Sequence, residues 1–203
     1  MSRTFKGYAQ IKPARISWLD NIPEHWQEGQ VKNGFRIVLG QMRQPTKSSF
    51  DDLHRPYLRA ANIALDGLAL SDVKSMWFKP AEIRSLRLEV GDVLVSEGGD
   101  VGRSALWLGA IEECYFQNAI NRVRPKHNNE AKFFQYWLQA IKFSGLIDII
   151  CNKSTIAHYT AEKLAATECL LPPSSEQKTI AAFLDYETAK IDELIAKQKR
   201  LIV

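Results

Sequence analysis

The run richest in potential chemistry is Glu97-Gly98-Gly99-Asp100-Val101-Gly102-Arg103. Glycines this dense fit a backbone that turns with φ > 0 or lets a partner approach closely. A Walker phosphate loop needs Lys then Ser or Thr after its second spaced glycine, and Arg103-Ser104 arrives at the wrong spacing. Other enzyme readings fare no better. The base clasp of an adenine methyltransferase needs an acid or amide, two prolines and an aromatic, and Leu171-Pro172-Pro173-Ser174 lacks both ends. Glu130-Ala131-Lys132 has part of a metal-dependent nuclease spacing, but it opens a helix and no proline–aspartate partner precedes it. His25, His54, His127 and His158 are scattered without ligand spacing. No active site, metal site or cofactor motif is read, and no nucleophile–base pair can be nominated.

Recognition chemistry is better represented. Arg and Lys suit guanine edges and phosphates, while Asn and Gln suit adenine. Three polar segments offer them: Arg43 to Ser49 with Lys47, Arg59 to Asn62, and Lys153-Ser154-Thr155 to His158. Gln117, Asn118 and Asn121 add amides beside an aromatic strand. For each residue alone, a solvated loop side chain or turn-forming amide is the commoner outcome. As a set they carry more weight, because of where the charge lies. The formal net charge is +4, and residues 174–203 hold five basic and five acidic side chains, leaving 22 basic against 18 acidic in residues 1–173. A phosphate-binding surface is expected there.

The elements that must hold these residues read as strands followed by helices without regular alternation, which predicts an α+β domain. Gly29 to Leu39, Tyr57 to Ile63, Val93-Leu94-Val95, Ala105 to Leu108, Tyr115 to Val123 and Cys169 to Leu171 pattern as strands. Residues 41–56 read as a long loop. Glu82 to Leu88, 130–143 (capped by Asn128 or Asn129) and Ala161 to Ala166 pattern as helices. Trp18 and Trp26 are expected to anchor the lead-in. Cys114, Cys151 and Cys169 share no close spacing and read as buried thiols in a reducing cytoplasm. No stretch approaches a membrane span.

After Pro172-Pro173 one helix is predicted from Ser174 to the last residue, opened by a reciprocal cap between Ser174 and Gln177. Ile180, Leu184, Ile191, Ile195 and Ile202 fall on one face, with Leu194 beside them. Such a stripe calls for a packing partner.

Pro172-Pro173 with Glu176-Gln177, then Ile180-Ala181-Ala182-Phe183-Leu184-Asp185 and Ala189-Lys190-Ile191-Asp192-Glu193-Leu194-Ile195, resembles the conserved region of type I restriction-modification specificity (S) subunits. Ile22-Pro23-Glu24-His25-Trp26, Gly91-Asp92-Val93-Leu94-Val95, Gly102-Arg103 and Gln117 to Pro125 are similar to landmarks of that family's target recognition domain. The resemblance implies a recognition domain over residues 1–171 and a spacer or dimerisation helix over 172–203. It also implies a non-catalytic subunit that reads one half of a bipartite site on double-stranded DNA. A methyltransferase (M) subunit would supply adenine methylation and a restriction (R) subunit would supply translocation and cleavage. It turns Gly98 and Gly99 toward DNA and makes Arg103 a phosphate or guanine ligand. A complete S subunit is similar to two such domains and two such helices, so this chain reads as a half-subunit or a fragment, with a homodimer through the helix as one outcome. The rival reading is a stand-alone DNA-modifying enzyme, a small methyltransferase or nuclease.

Overall fold

A computed structural model of the chain describes residues 7–151 and 157–201. The strands are β1 (Ile11–Pro13), β2 (Asn21–Pro23), β3 (Gln27–Gln30), β4 (Phe35–Leu39), β5 (Leu53–Leu58), β6 (Ile63–Ala64) and β7 (Gly67–Leu68). They continue as β8 (Lys74–Phe78), β9 (Val93–Ser96), β10 (Ser104–Leu106), β11 (Tyr115–Phe116), β12 (Ile120–Pro125) and β13 (Glu168–Leu171). The helices are α1 (Val31–Gly34), α2 (Pro80–Leu86), α3 (Ala131–Phe143), α4 (Leu146–Ile150), α5 (Ala161–Ala166) and α6 (Ser174–Leu201).

The central sheet runs β10-β9-β12-β4, antiparallel throughout. In β9 the period-2 pleat sends Val93 and Val95 one way and Leu94 the other. The valines join Phe35, Val123 and α3's Phe134, Leu138 and Ile141. Leu94 and Ile120 join Tyr57, Met76, Phe78, Trp107 and Phe116. Both faces are therefore covered, which is why β9 reads as an unbroken apolar run.

The Gly91-Asp92 and Gln117-to-Pro125 motifs meet across this sheet. The Arg124 guanidinium forks onto Asp92, Nε to Oδ1 at 2.7 Å and Nη2 to Oδ2 at 2.8 Å. Arg122 is 3% exposed. Its Nη1 donates to the Ser85 and Arg87 carbonyls, and its guanidinium lies 5.6 Å from the Phe116 ring centroid. Asp92 also accepts from the Glu89 N–H, so one carboxylate fixes the turn into β9.

Several expected strands are divided. Residues 115–123 form two strands, because β11 pairs in parallel with β5 while β12 pairs with β9 and β4. The Ile120 N–H to Gln117 carbonyl bond closes the turn between them. Strand β5 starts at Leu53 and stops at Leu58, where the Asn62 side chain accepts from the Arg59 N–H and folds Ala60–Asn62 into a 3-10 turn. The 29–39 stretch is broken by α1, whose Val31 is fully buried and bonded to the Thr167 carbonyl. The cap of α3 is Glu130, which accepts from the Lys132 N–H; Asn129 instead donates to the Gly34 and Lys126 carbonyls. Trp18 packs 5.1 Å from Trp137, and all three cysteines are buried and free.

Strand β13 pairs with β3, and α6 follows the two prolines. At 28 residues it is about 42 Å long. The expected Ser174–Gln177 cap does not form. The Pro173 carbonyl accepts from the Glu176 and Gln177 N–H groups, and the Ser174 hydroxyl donates to the Asn128 carbonyl. Gln177 is released for another task. It is 1% exposed. Its Oε1 accepts from the Glu130 N–H at 2.8 Å, and its Nε2 donates to Asn129 Oδ1 and to the Pro172 carbonyl. On the other side Glu176 accepts from Tyr8 and Trp26 and meets His25 Nε2 at 2.6 Å. Burial opposes its ionisation, yet these three partners hold its carboxyl below the usual range. Ala181 is buried and Asp185 pairs with Lys132 and Tyr136 of α3. From Thr188 to Leu201 every residue is exposed. The helix is thus bolted at its base and free beyond.

Candidate nucleic-acid interface

Four loops distant in sequence meet at one edge of the central sheet, where β4 and β9 end and β10 and β12 begin. Backbone bonds stitch them together. The Gly40 N–H reaches the Ile120 carbonyl at 3.0 Å and the Gln41 N–H reaches that of Phe116 at 3.1 Å. The Asn118 N–H returns to the Gln41 carbonyl, and the Gln117 N–H to that of Leu58, both at 2.9 Å. The Glu97 N–H reaches Ala119, and the Tyr159 N–H reaches Glu97, again at 2.9 Å. Buried Asn121 donates to the Tyr159 carbonyl. Gly40 is required by this crowding: a Cβ there would sit 2.2 Å from the Gln117 carbonyl oxygen.

The edge gathers Gly98, Gly99, Gln117, Asn118, His158 and the start of the loop that carries Arg43. A Cβ on Gly98 would lie 3.9 Å from His158 Nδ1, and Gly99 turns with φ +72°. Gln117 and Asn118 are half-buried, with side-chain amides that make no hydrogen bond among the described residues. Arg43 is exposed and makes no ion pair among them. Lys47 lies further along the loop, over the rings of Phe50 and Trp77.

Other candidates are occupied within the fold. The Arg103 guanidinium grips Asp100 through Nε and Nη2 and donates from Nη1 to the Ile63 carbonyl. Asp100 also takes the Lys142 ammonium, and that bond, with Arg103, keeps its carboxyl below the usual range. Arg59 donates to Asp72 Oδ2 and to its carbonyl. Asn62 is buried, with its amide donating to the Ala69 and Asp72 carbonyls. Lys153, Ser154 and Thr155 lie outside the described residues, as does Ile202 of the helix stripe. Within that stripe Ile180 and Leu184 are half-buried, whereas Ile191, Leu194 and Ile195 are 54, 63 and 47% exposed.

Sequence reasoning passed over Glu97 and Gln41. Glu97 opens the glycine loop, and burial raises its carboxyl above the usual range, with His158 opposing. A carboxylate there can accept from a cytosine amino group. Among the described residues no group of His, Cys, Asp and Glu could hold a metal ion, and no helix is long and apolar enough to cross a membrane.

The Arg103 geometry makes a specific prediction. Were this edge to contact duplex DNA, Arg103→Ala would slacken the Gly98–Gly102 loop and weaken binding to all duplexes alike, without relaxing the choice at one base pair. A selection from random-sequence duplexes would check this; a variant that lost preference at a single position would make Arg103 a direct base ligand.

The chain is an α+β domain with a loop-built polar edge, followed by a long C-terminal helix. The family model of the type I restriction modification DNA specificity domain matches residues 26–202, and the chain belongs to that family. No curated protein matches it in sequence. Among solved structures, a chain from work on complex assembly and conformational transition of the type I R-M system is similar at a TM-score of 0.66 and 22% identity, covering 88% of this chain and 42% of its own. The HsdS subunit from Thermoanaerobacter tengcongensis gives 0.63 and 20%, over 90% of this chain and 42% of its own. The type I S subunit from M. genitalium gives 0.55 and 15%, over 85% and 41%. At these identities the likeness is one of fold, and it agrees with the expected α+β domain and long helix. The chain spans about two-fifths of the length of each.

Proposed function

We propose that the chain reads one half of a bipartite sequence on double-stranded DNA as the specificity component of a type I restriction-modification system. Residues 1–171 would form the reading unit and residues 172–203 the arm that spaces and recruits. In this reading the chain performs no catalysis and needs no cofactor; methylation and cleavage belong to M and R subunits that it positions. The observation that carries it is the sheet edge at which separate loops converge, presenting the Gln117 and Asn118 amides and giving rise to the loop that carries Arg43, in the part of the chain that holds the charge excess. Nothing in the geometry favours a stand-alone modifying enzyme. Gly98, Gly99, Gln117, Asn118, Arg43 and His158 are the proposed contacts, with Arg103 and Arg59 holding loops in place.

The direct test is selection from a random-sequence duplex pool followed by a salt titration. Affinity should fall steeply as salt rises, because phosphate contacts release counterions. A salt-independent interaction, or no selected sequence, would overturn the reading.

The exposed outer half of α6 supports a homodimer, in which the helix of a second copy covers Ile191, Leu194 and Ile195. Ile191→Asp with Ile195→Asp should then give a monomer by light scattering that still binds one half-site. An unmutated chain that is monomeric at high micromolar concentration would remove the homodimer and leave the arm for other partners.

A further inference from the structure

Phe50 is 91% exposed, on a loop that is tightly braced. Asp52, itself 4% exposed, accepts through Oδ2 from the Ser48 N–H and hydroxyl at 2.8 Å, the Ser49 N–H at 3.0 Å and Gln44 Nε2 at 2.9 Å. The Gln44 carbonyl accepts from the Trp77 N–H, which ties the loop to β8 as well. The Lys47 ammonium lies 5.0 Å from the Phe50 ring centroid and 5.2 Å from that of Trp77, and the His54 ring lies 4.9 Å from Trp77. A large apolar ring held in water by a preorganised loop loses the burial it would gain elsewhere, so a contact is expected to repay it.

Charge and position identify the contact. Lys47 lies over the ring and Arg43 is exposed earlier on the same loop, neither with an ion pair among the described residues, and Asp51 is the one exposed acid between them and β5. The same loop leaves the candidate interface at Gln41, which is bonded to Phe116 and Asn118. An exposed aromatic beneath the Lys47 ammonium, on a loop that also carries Arg43 and is continuous with that edge, fits a base step beside a phosphate better than an apolar protein groove. We propose that Phe50 is a wedge that enters the stack of the bound duplex, with Lys47 and Arg43 on the adjoining phosphates. This rests on the DNA-reading function above. Wedge side chains partly unstack a step and bend the duplex, and pyrimidine–purine steps yield most easily. The step beneath Phe50 should be of that kind.

The test uses the full chain and a duplex that it selects from a random pool, with 2-aminopurine placed at successive positions. Saturating chain should raise the fluorescence several-fold at one or two adjacent positions. Phe50→Ala should abolish the rise and weaken binding about tenfold, in the range of an aromatic–base stack. Phe50→Leu should keep part of the rise, since leucine also serves as a wedge. Melting curves of both variants should match the parent, because Phe50 is exposed. A duplex that binds with no rise at any position, or an equal rise with Phe50→Ala, would overturn the wedge and leave the DNA-reading function standing. Failure to select any duplex would overturn both.

Discussion

Gly40→Ala is expected to cost about 3 kcal/mol, the upper part of the range for forcing atoms into a packed site. The added methyl would meet the Gln117 carbonyl oxygen at 2.2 Å, its carbon at 2.4 Å and the Phe116 oxygen at 2.7 Å. These are backbone atoms, so no side chain can swing away. Either the Gln41–Gln117 bridge opens or β11 leaves β5. For a chain of this size the melting temperature should fall by roughly 6–12 °C. DNA affinity should fall further than stability explains, because the bridge holds Asn118 beside the loop that leads to Arg43. Gly7→Ala, with nothing within 4 Å, is the control and should be neutral. A Gly40→Ala chain that melted with the parent would mean that the strands do not approach so closely, and the interface built on that approach would fall with it.

The second large effect is expected at the base of the arm. Gln177→Ala removes three hydrogen bonds and leaves the Glu130 N–H and the Pro172 carbonyl without their partner. Stranded buried groups of this kind should cost about 2–4 kcal/mol together. The direction of α6 should loosen with them. Spin labels at Ala110→Cys and Gln198→Cys would report this, since the native cysteines are buried. The parent should give one narrow distance distribution and Gln177→Ala a broad one; equal widths would assign the direction of the arm to other contacts. Acid should act on the companion residue. The folded-state pKa of Glu176 lies below its ordinary value, so its contribution is complete above the usual carboxylate range and is lost as pH falls through the lowered value. The distribution of the parent should broaden in acid over that window.

Much of the fold was legible where local pattern and tertiary packing agree. Val93-Leu94-Val95 is apolar on both pleat faces because both faces are covered, and α3 shows its period because one side meets the sheet. The site was legible as residue types and not as geometry. Asn62 and Asn118 look alike in sequence, yet one closes a turn and the other keeps a free amide. Arg103 and Arg43 look alike, and Asp100 with the Ile63 carbonyl separates them. The placement of Gln117 and Asn118 depends on backbone bonds between segments tens of residues apart, such as Gln117 to Leu58, which no local pattern encodes. The Ser174–Gln177 spacing misled for the same reason: Asn128 and Glu130, from another element, compete for those side chains and win.

The bolt at the base of α6 bears on how such a chain can be recombined. A crossover at Pro172-Pro173 would look natural, exchanging one reading unit for another on a constant helix. Yet Glu176 and Gln177 would then depend on an incoming unit that supplies equivalents of Tyr8, His25, Trp26, Asn129 and Glu130. A chimera lacking them would inherit a new target preference and an arm pointing nowhere fixed. Joining further out, beyond Thr188, carries the whole bolt with the unit it serves, and leaves only solvent-facing helix to be spliced.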